Sequence, residues 1–269
     1  ISDNIVFVKG TPRPLKKLDG RVLSLLAGGG GNNNYWHWLF DVLPKLNLCN
    51  EITNLQDIDF FLLPSIDRNF QKETLDLLNI PSNKRISSKV FRHIITKELI
   101  ITDPPSVVTG NSTKDILNIP QWIISWLRES FLKKEIKMIQ KQKIYIERNK
   151  PALNDLAYRA IINEEEIKKY LAKKNFISVK LENISFLEQV NLFKNAECIV
   201  GIHGAGLGNL IFSSFGTKII ELKSFGSGDA IKNLAQKSDV WFLTTKNIDF
   251  RITPIYKFFY LDFRNIFSA

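Results

Sequence analysis

The sequence predicts an α/β fold whose C-terminal half is a parallel, Rossmann-like sheet covered on both faces. Three observations predict it. From residue 142 onward, short apolar runs alternate with helical patterns of about ten residues, the rhythm of parallel strands joined by crossover helices. Helix starts are marked: Ser185 stands three residues before Glu188 in a capping-box pattern, and Asn163 precedes the acidic turn Glu164, Glu165, Glu166. Finally, "CIVGIHGAGLGNLIFSSFGTKIIEL" runs a buried strand straight into a histidine among glycines, which permit close backbone approach to a ligand.

In the first half, "NIVFV", "RVLSLLA" and "DIDFFLL" read as strands, while "NYWHWLFDVLPKLNLC" and residues 68 to 79 read as helices. Residues 102 to 120 are rich in Pro, Gly, Ser, Thr and Asn and read as a loop or crossover. Ile123, Trp126, Leu127 and Phe131 recur at helical spacing, so residues 120 to 139 form an amphipathic helix with a basic face. Then follow strand "KIYIER", a helix after "NEEE", strand "FISVKL", a helix from "SFLEQVNLF", strand "CIVGIH", helix "AGLGNLIFSS", strand "TKIIEL", a helix near 229 to 237, and strand "VWFL". The C-terminal "YKFFYLDFRNIF" is too aromatic to be left in water, so it packs back on the N-terminal half. The expected organisation is an N-terminal domain over residues 1–120, a linking helix over 121–141, a Rossmann-like domain over 142–250, and a returning segment over 251–269.

With 269 residues, 44% of them hydrophobic, the chain buries one large core or two of ordinary size. Its 37 Lys and Arg against 27 Asp and Glu give a net charge of +10, which favours anionic partners such as nucleotide phosphates or acidic lipid headgroups. The basic residues are scattered rather than striped, so a nucleic-acid partner is not expected. Cys49 and Cys198 are the only cysteines and Cys198 lies in a strand, so no disulfide framework is expected. No apolar run approaches a membrane span and no signal-peptide pattern is visible, which predicts a cytoplasmic protein. The first residue is Ile, so residues before it are expected. The basic stretch "RESFLKKEIKMIQKQK" serves either as a solvated helix face or as a contact to an acidic inner-membrane leaflet.

Ligands of parallel sheets bind outside the carboxyl ends of strands, where helix N-termini present free N–H groups. His203, Gly204, Ala205, Gly206 and Leu207 occupy such a place, with the N–H groups of 205 to 207 as a diphosphate cradle and His203 as a donor to a phosphate oxygen. The spacing matches neither a P-loop nor the dinucleotide fingerprint. Glu221 ends the next strand, where a carboxylate can accept ribose hydroxyls. Arg148 and Arg159 follow the first strand of this half and can clamp a phosphate bidentately. On the aromatic helix, His37 and Asp41 stand four apart, close enough for a general base and its orienting carboxylate, with Tyr35, Trp36 and Trp38 as a sugar-stacking surface. Each pattern also has a plainer reading: a tight turn with a structural histidine, a solvated carboxylate, surface arginines, and an amphipathic helix whose aromatics are core. "DID" at 57 to 59 lacks further hard ligands, His93 is isolated, and three histidines with two separated cysteines do not make a zinc site, so no metal is expected.

Taken together, "NYWHWLFDVLPKL", "YIERNK…YRAIINEEEI", "ISFLEQVNLFKNAECIVGIHGAGLGNLIF" and "TKIIEL" resemble the motif series of glycosyltransferase family 61, in the family's order. That resemblance implies a GT-B-like α/β architecture, two Rossmann-like domains facing across a cleft, and inverting, metal-independent transfer from a nucleoside-diphosphate sugar, a UDP-sugar first among them. It implies a glycan or lipid-linked acceptor and a place in surface polysaccharide biosynthesis, with no cofactor besides the co-substrate. It puts Arg148, Arg159, Asn163 and Glu164 in the arginine-containing block, Glu188 and Gln189 in the next, and Gly201, His203 to Leu207 and Asn209 in the Gly-rich block, where Asn209 joins Glu221 on the nucleoside. The alternative is a catalytically silent carbohydrate- or nucleotide-binding protein of the same fold.

Overall fold

In the computed structural model, which describes residues 13–27, 33–133, 141–148, 160–161, 163–223, 227–244 and 258–259, the chain divides between Val107 and Val108. The expected strand "NIVFV", Arg159, residues 134 to 139 of the expected long helix, and the C-terminal segment apart from 258–259 lie outside the described residues.

The first unit carries a parallel sheet of β1 (Lys16–Ser24), β2 (Phe60–Leu63), β3 (Arg85–Ser87) and β4 (Ile94–Ile101), in the order β3-β2-β1-β4. Alternation along the strands brings Val22, Leu62 and Ile86 into one buried cluster, flanked by Leu18, Phe60 and Ile94. The aromatic helix is three pieces in line: α1 (Tyr35–His37), a π-helical turn (Trp38–Val42) and α2 (Pro44–Asn50). Asn34 caps it, accepting the N–H of Trp36 at 2.9 Å. The Leu43 N–H reaches back five residues to the Trp38 carbonyl at 3.0 Å. This widened turn ends at Pro44, which has no N–H to donate and whose ring would crowd the carbonyl four residues back in a regular helix. Helix α3 (Asn69–Leu77) and two 3-10 turns, Leu55–Asp57 and Ser82–Lys84, are the unit's other described helices.

The second unit opens with α4 (Ser112–Leu117) and α5 (Gln121–Leu132). It continues through β5 (Gln142–Ile146), β6 (Ala160–Ile161), α6 (Glu164–Ala172), β7 (Phe176–Val179), α7 (Phe186–Lys194) and β8 (Ala196–Ile202). A short 3-10 turn (Leu181–Asn183) precedes α7, and a longer 3-10 helix (Ala205–Phe212), β9 (Lys218–Leu222), α8 (Ala230–Gln236), β10 (Trp241–Thr244) and β11 (Phe258–Phe259) complete the described elements. Five of these strands form one parallel sheet in the order β10-β9-β8-β5-β7. Tyr145, Cys198, Val200 and Ile220 share a buried cluster with Ile167 and Leu171 of α6. The alternate positions Ile144, Ile199 and Ile219 are equally buried, so both faces of the sheet are covered.

The helix expected to link the domains counts with the second unit. Phe131 of α5 stacks edge-on against Phe186 of α7 at 4.7 Å and against Phe212 at 6.2 Å. Each such pair contributes about 0.5–1.5 kcal/mol beyond area burial. Arg128 of the same helix donates to the carbonyls of Ile211 and of Ser213, the latter at 3.1 Å, so its guanidinium satisfies the end of the 3-10 helix. The two described residues of the C-terminal segment, Phe258 and Phe259, pair with Ala160 and Ile161 of this unit.

Cys49 and Cys198 are both free and buried, and burial pushes the Cys198 thiol up to about 11. The thiolate is the reactive form, so neither cysteine is expected to be alkylated by iodoacetamide at about pH 8 while the protein is folded, and both should be labelled in denaturant. Mass spectrometry of intact protein reads the difference; rapid labelling of Cys198 in the native state would contradict the buried-strand assignment.

Candidate active site

The order β10-β9-β8-β5-β7 has its switch point between β5 and β8, because the chain leaves β5 toward one edge and β8 toward the other. Ligands of doubly wound sheets bind in the crevice at the carboxyl ends of such a pair. Arg148 follows β5 by two residues and His203 follows β8 by one, so the sheet delivers both to that crevice. They meet there: the Arg148 Nη2 donates to the His203 carbonyl at 3.2 Å. The guanidinium lies across Gly204, where a built Cβ would stand 1.7 Å from Nη2 and 2.9 Å from Cζ. Gly204 has φ 160° and ψ 179°, extended backbone open to any residue, so it is the guanidinium, not the backbone angle, that excludes a side chain.

The N–H groups of Ala205 and Gly206 open the 3-10 helix and have no acceptor among the described residues. Leu207 does not join them: its N–H bonds the Gly204 carbonyl at 3.0 Å and its side chain is 1% exposed, which removes it from the expected cradle. The segment expected as an α-helix is a 3-10 helix, held by burial of Leu207, Leu210, Ile211 and Phe212 and by the buried Asn209 amide, which donates to Gln189 Oε1 at 2.9 Å.

Glu221 and Asn209 are corrected by their surroundings. Both are 0% exposed, so neither presents polar atoms to a nucleoside. The Glu221 carboxylate instead takes the Nδ1 of His203 at 2.5 Å. Parallel register explains this: Gly201 stands opposite Glu221, and His203, two residues on, projects to the same face. Gly201 is closely covered: a Cβ there would stand 3.3 Å from both Ile146 and Leu207. A carboxylate on Nδ1 holds a proton on that nitrogen and fixes the orientation of the ring.

Behind Arg148 lies a second polar group. Tyr145, buried on β5, donates its hydroxyl to Glu164 Oε1 at 2.9 Å. Burial holds the Glu164 carboxyl above the usual range. Asn163 stands at the expected cap position of α6 but makes no side-chain cap bond; its amide donates to Glu166 at 3.4 Å. The Ser185–Glu188 capping box forms as the pattern predicts, with Glu188 Oε2 accepting the Ser185 N–H at 2.7 Å.

In the first unit, His37 Nδ1 and Asp41 Oδ2 stand 2.5 Å apart, with the side chains 22% and 30% exposed. This is a solvent-reachable pair on the π-helical turn, with the carboxylate orienting the ring. The aromatics around it do not form a stacking surface: Trp36 is 7% exposed and Trp38 0%, with the Trp38 indole donating to Thr74 Oγ1 at 2.9 Å. Tyr35 is half-buried and packs edge-on against Phe70 at 5.1 Å. Trp36 and Trp38 lie on different sides of a helical segment that is buried nearly all round, with Leu39, Phe40 and Val42 buried beside them. Among the described residues no group of three or more His, Cys, Asp or Glu is placed to hold a metal ion. In "DID", Asp59 accepts the Arg21 N–H at 2.7 Å. Among the described residues no helix is long and apolar enough to cross a membrane.

A doubly wound sheet with an arginine and a carboxylate-backed histidine over a Gly-rich turn at its switch point defines a Rossmann-like α/β protein. The family profile of Glycosyltransferase 61 matches residues 35–220, which take in both the His37–Asp41 pair and this turn, and the chain belongs to that family. Over 92 residues it is 28% identical to the EGF domain-specific O-linked N-acetylglucosamine transferase of Bos taurus, a stretch covering 32% of this chain and 18% of that protein. Against the protein of the same name from Drosophila melanogaster it is 30% identical over 95 residues, covering 34% and 18% respectively. The matched stretch thus spans less than a fifth of either relative, 18% in both.

Proposed function

We propose that this chain is an inverting, metal-independent glycosyltransferase of GT-B type that moves a hexosyl or pentosyl group from a nucleoside-diphosphate sugar to a hydroxyl of a glycan or lipid-linked acceptor in surface polysaccharide assembly. The observation that carries the reading is the Arg148 guanidinium lying over Gly204 beside the Glu221-backed His203, with the Ala205 and Gly206 N–H groups open next to it. These are fixed positive groups converging on one strand-end crevice, the arrangement that stabilises charge developing on a departing diphosphate. The net charge of +10 favours approach of anionic co-substrates.

In the proposed reaction His37, oriented by Asp41 through Nδ1, takes the proton of the acceptor hydroxyl on Nε2. The acceptor oxygen forms its bond to the anomeric carbon as the bond from that carbon to the diphosphate oxygen breaks. The electron pair leaves with the nucleoside diphosphate, held by Arg148, by the N–H groups of Ala205 and Gly206, and by His203 when its imidazolium form donates from Nε2. The names of the relatives put N-acetylglucosamine first among the sugars to try, and UDP first among the nucleotides. We place the reaction in the cytoplasm, with peripheral contact to an acidic membrane face where the acceptor is lipid-linked.

Calorimetric titration and thermal shift with UDP, GDP and CDP test the donor assignment. Saturable binding of at least one is expected; a flat response to all three rejects it.

A further inference from the structure

We propose that the amino edge of the second unit's sheet docks on an acidic phospholipid bilayer, with Phe215 and Trp241 as apolar anchors and Lys143, Lys174 and Lys218 as its charges. This names the surface for the membrane contact proposed above and rests on that reading. Strand register assembles the face: Phe176, Lys143, Cys198, Lys218 and Trp241 stand opposite one another across β7, β5, β8, β9 and β10, in one row on one side of the sheet. A groove of about 520 Å³ lies along this row, and Lys174, just before β7, and Leu243, two residues beyond Trp241 on the same face, also line it.

Two large aromatic side chains stand in water at this edge. Phe215 is 88% exposed and Trp241 72%. Both are held by well-bonded backbone: Gly216 takes φ 78° in the turn after Phe215 and donates its N–H to the Asp239 carbonyl at 3.1 Å, while the Trp241 N–H donates to the Thr217 carbonyl at 2.9 Å. The buried Thr217 hydroxyl donates to the Ala196 carbonyl at 3.1 Å, which pins the same turn to β8. The fold therefore holds these rings out, and exposed apolar groups gathered on one face mark a contact surface. The charge around them is positive. Among the described residues, only Lys143 of the three lysines has an ion pair, with Glu197 at 3.9 Å; Lys174 lies over the Tyr170 ring at 5.9 Å, and Asp239 is the other carboxylate of this edge. The basic stretch expected to meet a membrane ends at Lys143, whereas its first residue, Arg128, is committed to the carbonyls of Ile211 and Ser213.

Lysines are drawn to anionic headgroups and aromatic rings settle at headgroup level, so both halves of the pattern fit one partner, an acidic bilayer. A soluble acidic glycan would engage the lysines and give Phe215 nothing to enter. The edge lies at the amino ends of the strands and the donor crevice beyond their carboxyl ends, about 20 Å away along the seven residues of β8, so docking leaves the crevice open.

The test is co-sedimentation of the full chain with vesicles of phosphatidylcholine alone or mixed in equal parts with phosphatidylglycerol, for wild type, the triple variant K143Q/K174Q/K218Q, and F215S. Wild type is expected to bind the mixed vesicles, to bind phosphatidylcholine weakly, and to be released between about 0.1 and 1 M NaCl. The triple variant should lose about 100-fold in partitioning, each lysine contributing about fivefold near an acidic surface. F215S, a change on an exposed turn, should lose about tenfold. UDP affinity by calorimetry should stay within about twofold of wild type in every variant, which shows them folded. Vesicle binding that both variants keep would overturn this surface and leave the membrane reading standing. A wild type that ignores acidic vesicles at low salt would end the membrane reading and the proposal with it, and binding of soluble polygalacturonate in their place would assign the face to an acidic glycan.

Discussion

Replacing His37 by alanine is expected to lower kcat for sugar transfer about 10³-fold, within the range that a positioned general base contributes. The expectation comes from geometry. His37 Nδ1 is 2.5 Å from Asp41 Oδ2, which commits that nitrogen and leaves Nε2 to act as the base. The pair sits where the helix widens into a π turn between Asn34, which caps the start, and Pro44, which cannot continue regular bonding. Such turns recur at functional sites because they re-aim side chains that a regular helix would stack. Asp41→Asn, which keeps the shape and removes the charge, should cost less than the loss of the base itself. UDP affinity should change by less than about twofold in H37A, since the residue is assigned to the acceptor and not the donor. A large fall in UDP affinity with unchanged kcat would assign His37 to the wrong substrate.

Replacing Gly204 by alanine is expected to weaken UDP binding about 10- to 100-fold, the cost of one or two charge-assisted hydrogen bonds. A Cβ at this position would overlap the Arg148 guanidinium, whose Nη2 stands 1.7 Å from it. The backbone is extended and tolerates alanine, so the protein should fold; the displaced group is the far end of a flexible side chain, and it is the functional end. R148A is expected to lose affinity to a similar degree. The double variant should then be no worse than R148A alone, because both changes remove the same interaction. Additive losses would show that Gly204 serves the nucleotide by some route other than Arg148.

Much of the second unit was legible because its strands are continuous apolar runs bounded by polar turns, which parallel sheets require. The strand-end position of Arg148 and of the Gly-rich turn follows from that pattern, and so does the Ser185–Glu188 capping box. What was not legible depends on register and on partners distant in sequence. Glu221 looked like a ribose acceptor until pairing of Gly201 with Glu221 placed it beneath His203. The signal was present in the strand alternation, since residues 203 and 221 fall on one face only if the two strands are in that register. Trp36 and Trp38 carry polar handles that suit a sugar site, and tertiary packing placed them in the core instead. Strand β4 was hidden because Lys97 and Glu98 interrupt its apolar residues, as suits the edge strand of the described sheet. Helix α4 lies in a stretch so rich in turn formers that six residues, Ser112–Leu117, left no periodic mark.

The claim on which the mechanism depends is that Arg148, His203 and the backbone at Ala205 and Gly206 hold the diphosphate without the aid of a divalent ion. Calorimetric titration of UDP in the presence of EDTA, repeated with added Mg²⁺ and Mn²⁺ and with R148A, measures this directly. The predicted result is one affinity for wild type in all three conditions and its loss in R148A. Binding that appears only when a divalent ion is supplied, or that survives intact in R148A, would contradict it.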